Sequence, residues 1–280
     1  LSILPTTSKC LPYMLPLWGK PCSIRDDGHQ VRIQAFKEVA MRINKIKAKM
    51  KAGQKAYGCA ISFPSAPLIE LLGIAGLDYV FMDGEHGVFT LSDIEDMCRV
   101  CDLAGITPTA RVPNIHSSTI LQFLDRGIMG ILGPHIITKA DAEALVEACL
   151  FVPKGKRSFA GSRGNNYGVL DDGPAHMARM NEEILPMALL EDIQALEDNL
   201  DDILKVPNLE VFSYGPQDLA QSMGLPGQPN HPKVVAAMDK ASARIRAAGK
   251  KVGSDIMVAA RANQIFLDGI RAFMKTGKGG

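Results

Sequence analysis

From residue 41 onward, short apolar runs alternate with amphipathic stretches. The runs at 57–62, 79–83, 107–112, 130–132, 185–190, 209–214 and 251–254 are short and bounded by polar or glycine positions, which predicts strands. A last run at 270–274 is expected to be one more. Helical spacing of apolar positions occupies 66–75, 91–104, 117–126, 139–151, 193–204, 232–248 and 258–268, and a short basic helix is expected over 41–51. Glycines 76, 105, 127, 249 and 269 stand where helices should stop. Such alternation predicts a parallel sheet, and about eight repeats predict an α/β protein of the TIM (β/α)8 barrel type. With a glycine-lysine tail directly after the expected last strand, the barrel reads as truncated after the eighth strand, without a closing helix.

The domain expected to form this barrel is 41–280. Residues 1–40 are proline-rich and show no period. They are expected to be an extension, poorly ordered or non-native, with Met41 as a natural start.

Composition narrows the function. The chain has 280 residues, 46% of them hydrophobic, enough for one large core. Its net charge is +1, which gives no bulk electrostatic case for nucleic acid or an anionic membrane. No apolar run approaches the roughly 20 residues that span a bilayer. The six cysteines form no disulfide framework, so a cytoplasmic setting is expected. Cys98 and Cys101 fall within one predicted helix and read as packing thiols.

In a parallel barrel the chemistry lies at the C-terminal ends of the strands. Polar residues follow four of the apolar runs: Asp83, Glu85 and His86 after the second, Arg111 at the end of the third, Glu191 and Asp192 after the fifth, and Gly215, Gln217 and Asp218 after the sixth. Alone, each has a plain reading as a helix cap, loop residue or ion-pair partner. Together they suit one chemistry. Carboxylates without a thiolate or histidine cluster suit a hard divalent cation. A 2-keto acid can chelate such a cation, which stabilises negative charge on the keto oxygen. Arginine adds to that stabilisation, histidine suits proton transfer near neutrality, and the N–H groups of Gly215–Asp218 could hold a carboxylate.

Other motifs carry less. The glycine-rich segment 161–168 lacks the ending of a phosphate loop and is expected to be an active-site or subunit-contact loop, with Arg163 at its rim. Lys154, Lys156 and Arg157 read as a solvated basic turn. His116, His135, His176 and His231 read as structural or surface residues. No lysine lies within a strand-like run where a Schiff base would need it, although Lys251 begins one.

Several segments, in order, make the chain similar to the HpcH/HpaI family of class II pyruvate aldolases in the phosphoenolpyruvate/pyruvate barrel superfamily. They are Gly76–Gly87 with Asp-Gly-Glu-His, Ala110–Pro113 with Arg-Val-Pro, Leu124–Gly127 with Leu-Asp-x-Gly, Leu190-Glu191, Gly215–Leu219 with Gly-Pro-x-Asp-Leu, and His231-Pro232. The resemblance spans roughly 41–274. It implies that Glu191 and Asp218 bind Mg²⁺, Mn²⁺ or Co²⁺, and that Arg111 contacts the keto acid. His86 would be the acid/base, oriented by Asp83 or Asp125, and Glu85 would hold metal-bound water. Gly215, Gln217 and Asp218 would contact substrate. The implied partners are a small 2-keto acid and an aldehyde, in a homo-oligomer, commonly a hexamer. Leu189 stands where the family often has glutamine and Ala60 where it often has tryptophan, which alters the pocket for the second substrate. The implied activity is cleavage of a 4-hydroxy-2-oxo acid to pyruvate and an aldehyde. The alternatives are oxaloacetate decarboxylation or cleavage of a malyl- or citramalyl-CoA-type ester by the same enolate chemistry, and a truncated, weakly active barrel.

Overall fold

The computed structural model describes residues 42–169 and 172–277. The expected extension, 1–40, lies outside the described residues. The described chain opens with α1 (Lys45–Lys51), then β1 (Ala56–Ile61), α2 (Ala66–Ile74), β2 (Tyr79–Asp83), α3 (Leu91–Ala104), β3 (Thr107–Arg111), α4 (Ser117–Arg126), β4 (Gly130–Gly133) and α5 (Lys139–Cys149). After a 3-10 segment at Arg163–Gly168 come α6 (Gly173–Glu183), β5 (Leu185–Leu190), α7 (Ile193–Glu197), α8 (Leu200–Ile203), β6 (Val211–Tyr214), α9 (Pro216–Ser222) and α10 (Pro232–Ala247). The chain ends in β7 (Lys251–Val252), α11 (Gly253–Ile256), β8 (Met257–Arg261) and α12 (Ala262–Thr276).

All strand pairings are parallel, in the order β7-β6-β5-β4-β3-β2-β1-β8. Placing β8 against β1 gives the cyclic order of a (β/α)8 barrel, as the sequence predicts. Among the described residues no ladder joins β7 to β8.

Alternation along each strand sorts side chains to two sides. Outward residues such as Val80 and Met82 pack with Ile94, Cys98 and Cys101 of α3 and with Ile120 and Leu124 of α4. The two thiols pack as expected, and burial pushes Cys98 up to about 12. Inward residues, among them Tyr79, Leu132, Met187 and Leu189, form a second cluster that Ile46 of α1 plugs from the N-terminal end of the strands. Buried Asn44 fixes that plug. Its amide donates to the Met129 and Glu183 carbonyls at 3.1 and 2.9 Å, and its Oδ1 accepts from the N–H groups of Ile46 and Lys47. Thr90 with Asp93 and Thr138 with Asp141 form capping boxes that start α3 and α5 at the strand ends.

The C-terminal segment differs from the expectation. The eighth strand is Met257–Arg261, and 270–274 belongs to a closing helix, α12. Met-Val-Ala-Ala-Arg reads as the first turn of a helix because alanine favours helix. The ladder to β1, from Ala56↔Met257 to Ala60↔Arg261, overrides that propensity. The apolar positions 266, 270, 273 and 274 recur at helical rather than alternating spacing. The shortfall lies instead before β8, where a two-residue strand and a four-residue helix make up the whole of β7 and α11. The stretch 193–204 is likewise two short helices rather than one.

Candidate active site

The site grows from the ends of β2 and β3, which pair with Asp83 opposite Arg111. That register brings the two side chains together. Arg111 Nε donates to Asp83 Oδ1 at 3.0 Å and Nη2 donates to Oδ2 at 2.6 Å. Its Nη1 lies 3.0 Å from Glu85 Oε2. Burial pushes Asp83 up, but the Arg111 hydrogen bond, the N–H groups of His86 and Glu85 and the guanidinium charge outweigh it and hold the carboxyl below its ordinary value. Burial works against the Arg111 charge, and the Asp83 hydrogen bond with the charges of Asp83, Glu85 and Glu191 reverses that, so it rises.

Asp83 Oδ1 also accepts from the N–H groups of Glu85 and His86, both at 3.2 Å. It therefore shapes the turn that carries His86, and no hydrogen bond links it to the imidazole. The imidazole is 67% exposed, with Nε2 4.0 Å from Glu85 Oε2. Asp125 is not brought to His86. It lies at the end of α4, which returns the chain to the start of β4, and it binds Arg157 at 3.1 Å. The barrel's chain direction puts a helix C-terminus at the opposite end from the strand C-termini.

Glu191 follows β5 and is buried, with 3% of its surface exposed. Its Oε1 accepts the His135 backbone N–H at 2.9 Å and lies 3.1 Å from His135 Nδ1. The other imidazole nitrogen is 3.4 Å from Glu85 Oε1. Burial raises Glu191 above the ordinary carboxylate value. The His135 N–H and imidazole oppose the rise, and the charges of Asp218 and Glu85 add to it. Asp218 sits in the first turn of α9, after Gly215 and exposed Gln217.

His135, read from the sequence as structural or surface, thus stands between two of the candidate site residues, Glu85 and Glu191. Its signal was available: it follows Gly133-Pro134 at the end of the fourth run, where the other strands place their polar residues. Its φ of 52° bends the chain over Glu191, a conformation uncommon outside glycine. Conversely, Arg163 is not a rim residue. It is buried, binds Asp102 and donates to the Arg126 carbonyl at 2.9 Å. Nor is Arg157 solvated. It is buried, with its guanidinium 4.6 Å from the Phe151 ring centre.

Gly215 supports Glu191 directly. A Cβ there would stand 2.3 Å from Glu191 Oε2 and 2.9 Å from its Cβ. Gly215→Ala should therefore displace the carboxylate. The expected result is loss of most turnover with a melting temperature within a few degrees of the parent. A variant with parental kcat/KM would show that the Glu191 position is not critical.

Residues 56–280 match the sequence model of the HpcH/HpaI aldolase/citrate lyase family. The chain belongs to that family. This places it among carbon–carbon lyases. A hydroxypyruvate/pyruvate aldolase of Roseobacter denitrificans is 33% identical over 214 residues, 75% of this chain and 82% of that protein. A 4-hydroxy-2-oxovalerate aldolase of Rhodococcus jostii is 32% identical over 212 residues, 75% of this chain and 81% of that protein. The crystal structure of an HpcH/HpaI aldolase from Desulfitobacterium hafniense shares the fold, with a TM-score of 0.76 at 24% identity, over 82% of this chain and 95% of that one. No helix among the described residues is long and apolar enough to cross a membrane.

Proposed function

We propose that the chain is a divalent-metal-dependent aldolase that cleaves a 4-hydroxy-2-oxo acid to pyruvate, or a close 2-keto acid, and an aldehyde. The observation that carries this reading is Glu191, a buried carboxylate whose surroundings include the charges of Asp218 and Glu85. Arg111 offsets Glu85, which leaves Glu191 and Asp218 to repel one another unless a cation is shared. The donor set is oxygen only, which fits Mg²⁺, Mn²⁺ or Co²⁺. Among the described residues no three His, Cys, Asp or Glu side chains form a ligand group, so the reading assigns two ligands, Glu191 and Asp218, and leaves the other positions to water and substrate.

When bound, the cation supplies Lewis acidity at the keto oxygen. Arg111 presents five N–H groups, of which three are engaged by Asp83 and Glu85. The other two are available to the oxygen that gains charge as the C3–C4 bond breaks. His86 takes the 4-hydroxyl proton in that step and returns a proton to C3. Asp83 positions both groups, His86 through its turn and Arg111 through the paired hydrogen bonds. The Gly215 N–H is turned to the Leu190 carbonyl at 3.4 Å. The first-turn N–H groups of Gln217 and Asp218 have no intrahelical acceptor and suit the substrate carboxylate.

The test is a panel of 4-hydroxy-2-oxo acids assayed for pyruvate release with added Mg²⁺, Mn²⁺ or Co²⁺ and again with chelator. Release that chelator abolishes supports the reading, and release indifferent to chelator overturns it. The open β7–β8 seam favours one further reading, a weakly active barrel, which predicts binding of pyruvate without turnover of any panel member.

His86→Ala should slow exchange of pyruvate methyl protons in heavy water by about 10²–10⁴-fold, with a smaller effect on pyruvate affinity. Unchanged exchange by NMR would remove His86 from the proton-transfer role.

We place the enzyme in the cytoplasm as a homo-oligomer. Ile265, Phe266, Leu267, Ile270, Phe273 and Met274 leave α12 with exposed apolar side chains, a surface suited to a second copy. Phe266→Ser with Phe273→Ser should lower the particle mass measured by light scattering. An unchanged mass would show that α12 is not the contact.

A further inference from the structure

The fourth strand ends in a bulge aimed at Glu191. The parallel pairing of β4 with β5 runs from Gly130↔Leu185 to Gly133↔Ala188, and the Leu185 N–H donates to the Met129 carbonyl. Continued in that register, the N–H of residue 135 would donate to the Leu189 carbonyl. The Ile136 N–H takes that acceptor instead, at 3.2 Å. One extra residue, His135, therefore stands on the β4 side, the pattern of a β-bulge. Its φ of 52° turns its N–H out of the ladder. A diverted N–H needs another acceptor, and this one meets Glu191 Oε1 at 2.9 Å.

Glu191 has the complementary need. It is buried, and a buried carboxylate is costly unless a donor reaches it. On its other side Oε2 faces Gly215, where a Cβ would stand 2.3 Å away. In the sheet, β5 lies between β4 and β6. The carboxylate at its end is thus held from both neighbours, by an N–H after β4 and by a bare Cα after β6. Oε1 is engaged, and Oε2 is the oxygen left for a cation. The His135 imidazole also approaches, with Nδ1 3.1 Å from Oε1, but its side chain is mostly exposed. The main-chain N–H is fixed by the bulge itself.

We propose that this bulge positions the candidate metal centre: the main-chain N–H of His135 holds Glu191 so that it binds a divalent cation through Oε2 alone. His135 is then a positioning residue that acts through its backbone. The proposal rests on the reading of Glu191 as a metal ligand. Binding through one oxygen rather than two leaves a further position of the cation to the chelating 2-keto acid. What matters at 135 is the left-handed conformation. Glycine adopts it freely and asparagine enters it more readily than most residues, whereas a β-branched residue is an outlier there.

Two measurements test it. The first needs no metal. In chelator-treated protein labelled with ¹⁵N at histidine, the His135 amide resonance is identified by its loss in His135→Asn. It should move upfield in Glu191→Gln, as the charged acceptor is removed, and the other histidine amides should move less. A His135 amide that stays in place overturns the proposal whether or not the protein binds a cation. The second is calorimetric titration of Mn²⁺ into three variants that all lack the imidazole. His135→Gly and His135→Asn, which keep the turn, should retain the parental affinity. His135→Val should bind at least about tenfold more weakly, because the turn opposes its side chain. Parental affinity in the valine variant, or equal weakening in all three, overturns the proposal. Absence of Mn²⁺ binding in the parent, with the amide shift present, instead overturns the metal reading on which it rests.

Discussion

Glu191→Gln should lower turnover of a 4-hydroxy-2-oxo acid by at least about 10²–10³-fold, the scale expected when one strong electrostatic stabiliser is removed, while the metal-free protein becomes more stable. The opposite signs have one cause. Burial and the neighbouring charges of Asp218 and Glu85 raise Glu191, so its ionised form is costly in the folded protein. A group raised on folding contributes stability that is present at low pH. That stability is lost as pH rises from the ordinary carboxylate value through the raised one. The metal-free parent should therefore lose melting temperature across that window, and the glutamine variant should lose less. A divalent cation should restore the parent by mass action and act more weakly on the variant. Thermal melts from pH 4 to 7, with chelator and with Mn²⁺, read all of this. A variant that melts below the metal-free parent throughout would contradict the assignment of Glu191 as a strained carboxylate.

The second large effect belongs to Arg111. Arg111→Met leaves Asp83 and Glu85 without their guanidinium, beside a third carboxylate in Glu191. Removing one partner of a buried ion pair costs about 3–5 kcal/mol. Here the side chains keep 14% and 20% exposure for Arg111 and Asp83, so the lower part of that range is expected. Asp83 is held below its ordinary value, partly by Arg111. The stabilisation it reports is present above that ordinary value and is lost as pH falls through the depressed one. The Arg111→Met penalty should accordingly be large near neutrality and shrink in acid, the reverse of the Glu191 trend. Arg111→Lys should recover part of the stability but little activity, because an ammonium cannot make the forked contact to Asp83. Urea titrations at pH 7 and at a pH below the ordinary carboxylate value distinguish the cases. A penalty that does not change with pH would mean that Arg111 contributes packing rather than charge.

Most of the barrel was legible because its strands and helices obey different periods. Tyr79–Asp83, Leu185–Leu190, Leu91–Ala104 and Ser117–Arg126 form where the pattern changes from one period to the other. Legibility failed where pairing overrode local preference. The alanine-rich Met257–Arg261 becomes a strand because β1 offers it a parallel edge, and 270–274, expected to be a strand, continue the helix that starts at Ala262. The candidate site was legible as a set of strand ends. Its internal contacts were not, because they depend on register and backbone conformation. Asp83 meets Arg111 through a parallel pairing, and His135 reaches Glu191 through a positive φ. Asp125, similar in local motif, is carried to the other end of the barrel by the direction of α4.

The account's central claim is that Glu191 and Asp218 hold a divalent cation on which keto-acid binding depends. Calorimetric titration of pyruvate into the parent, first with chelator and then after loading with Mn²⁺, tests it most directly. Asp218→Asn and Glu191→Gln, which keep shape and remove charge, serve as comparisons. The account predicts pyruvate binding only in the loaded parent, with both variants weakened at least about tenfold for metal and pyruvate together. Equal pyruvate binding with chelator and with Mn²⁺, or parental affinities in both variants, would contradict it.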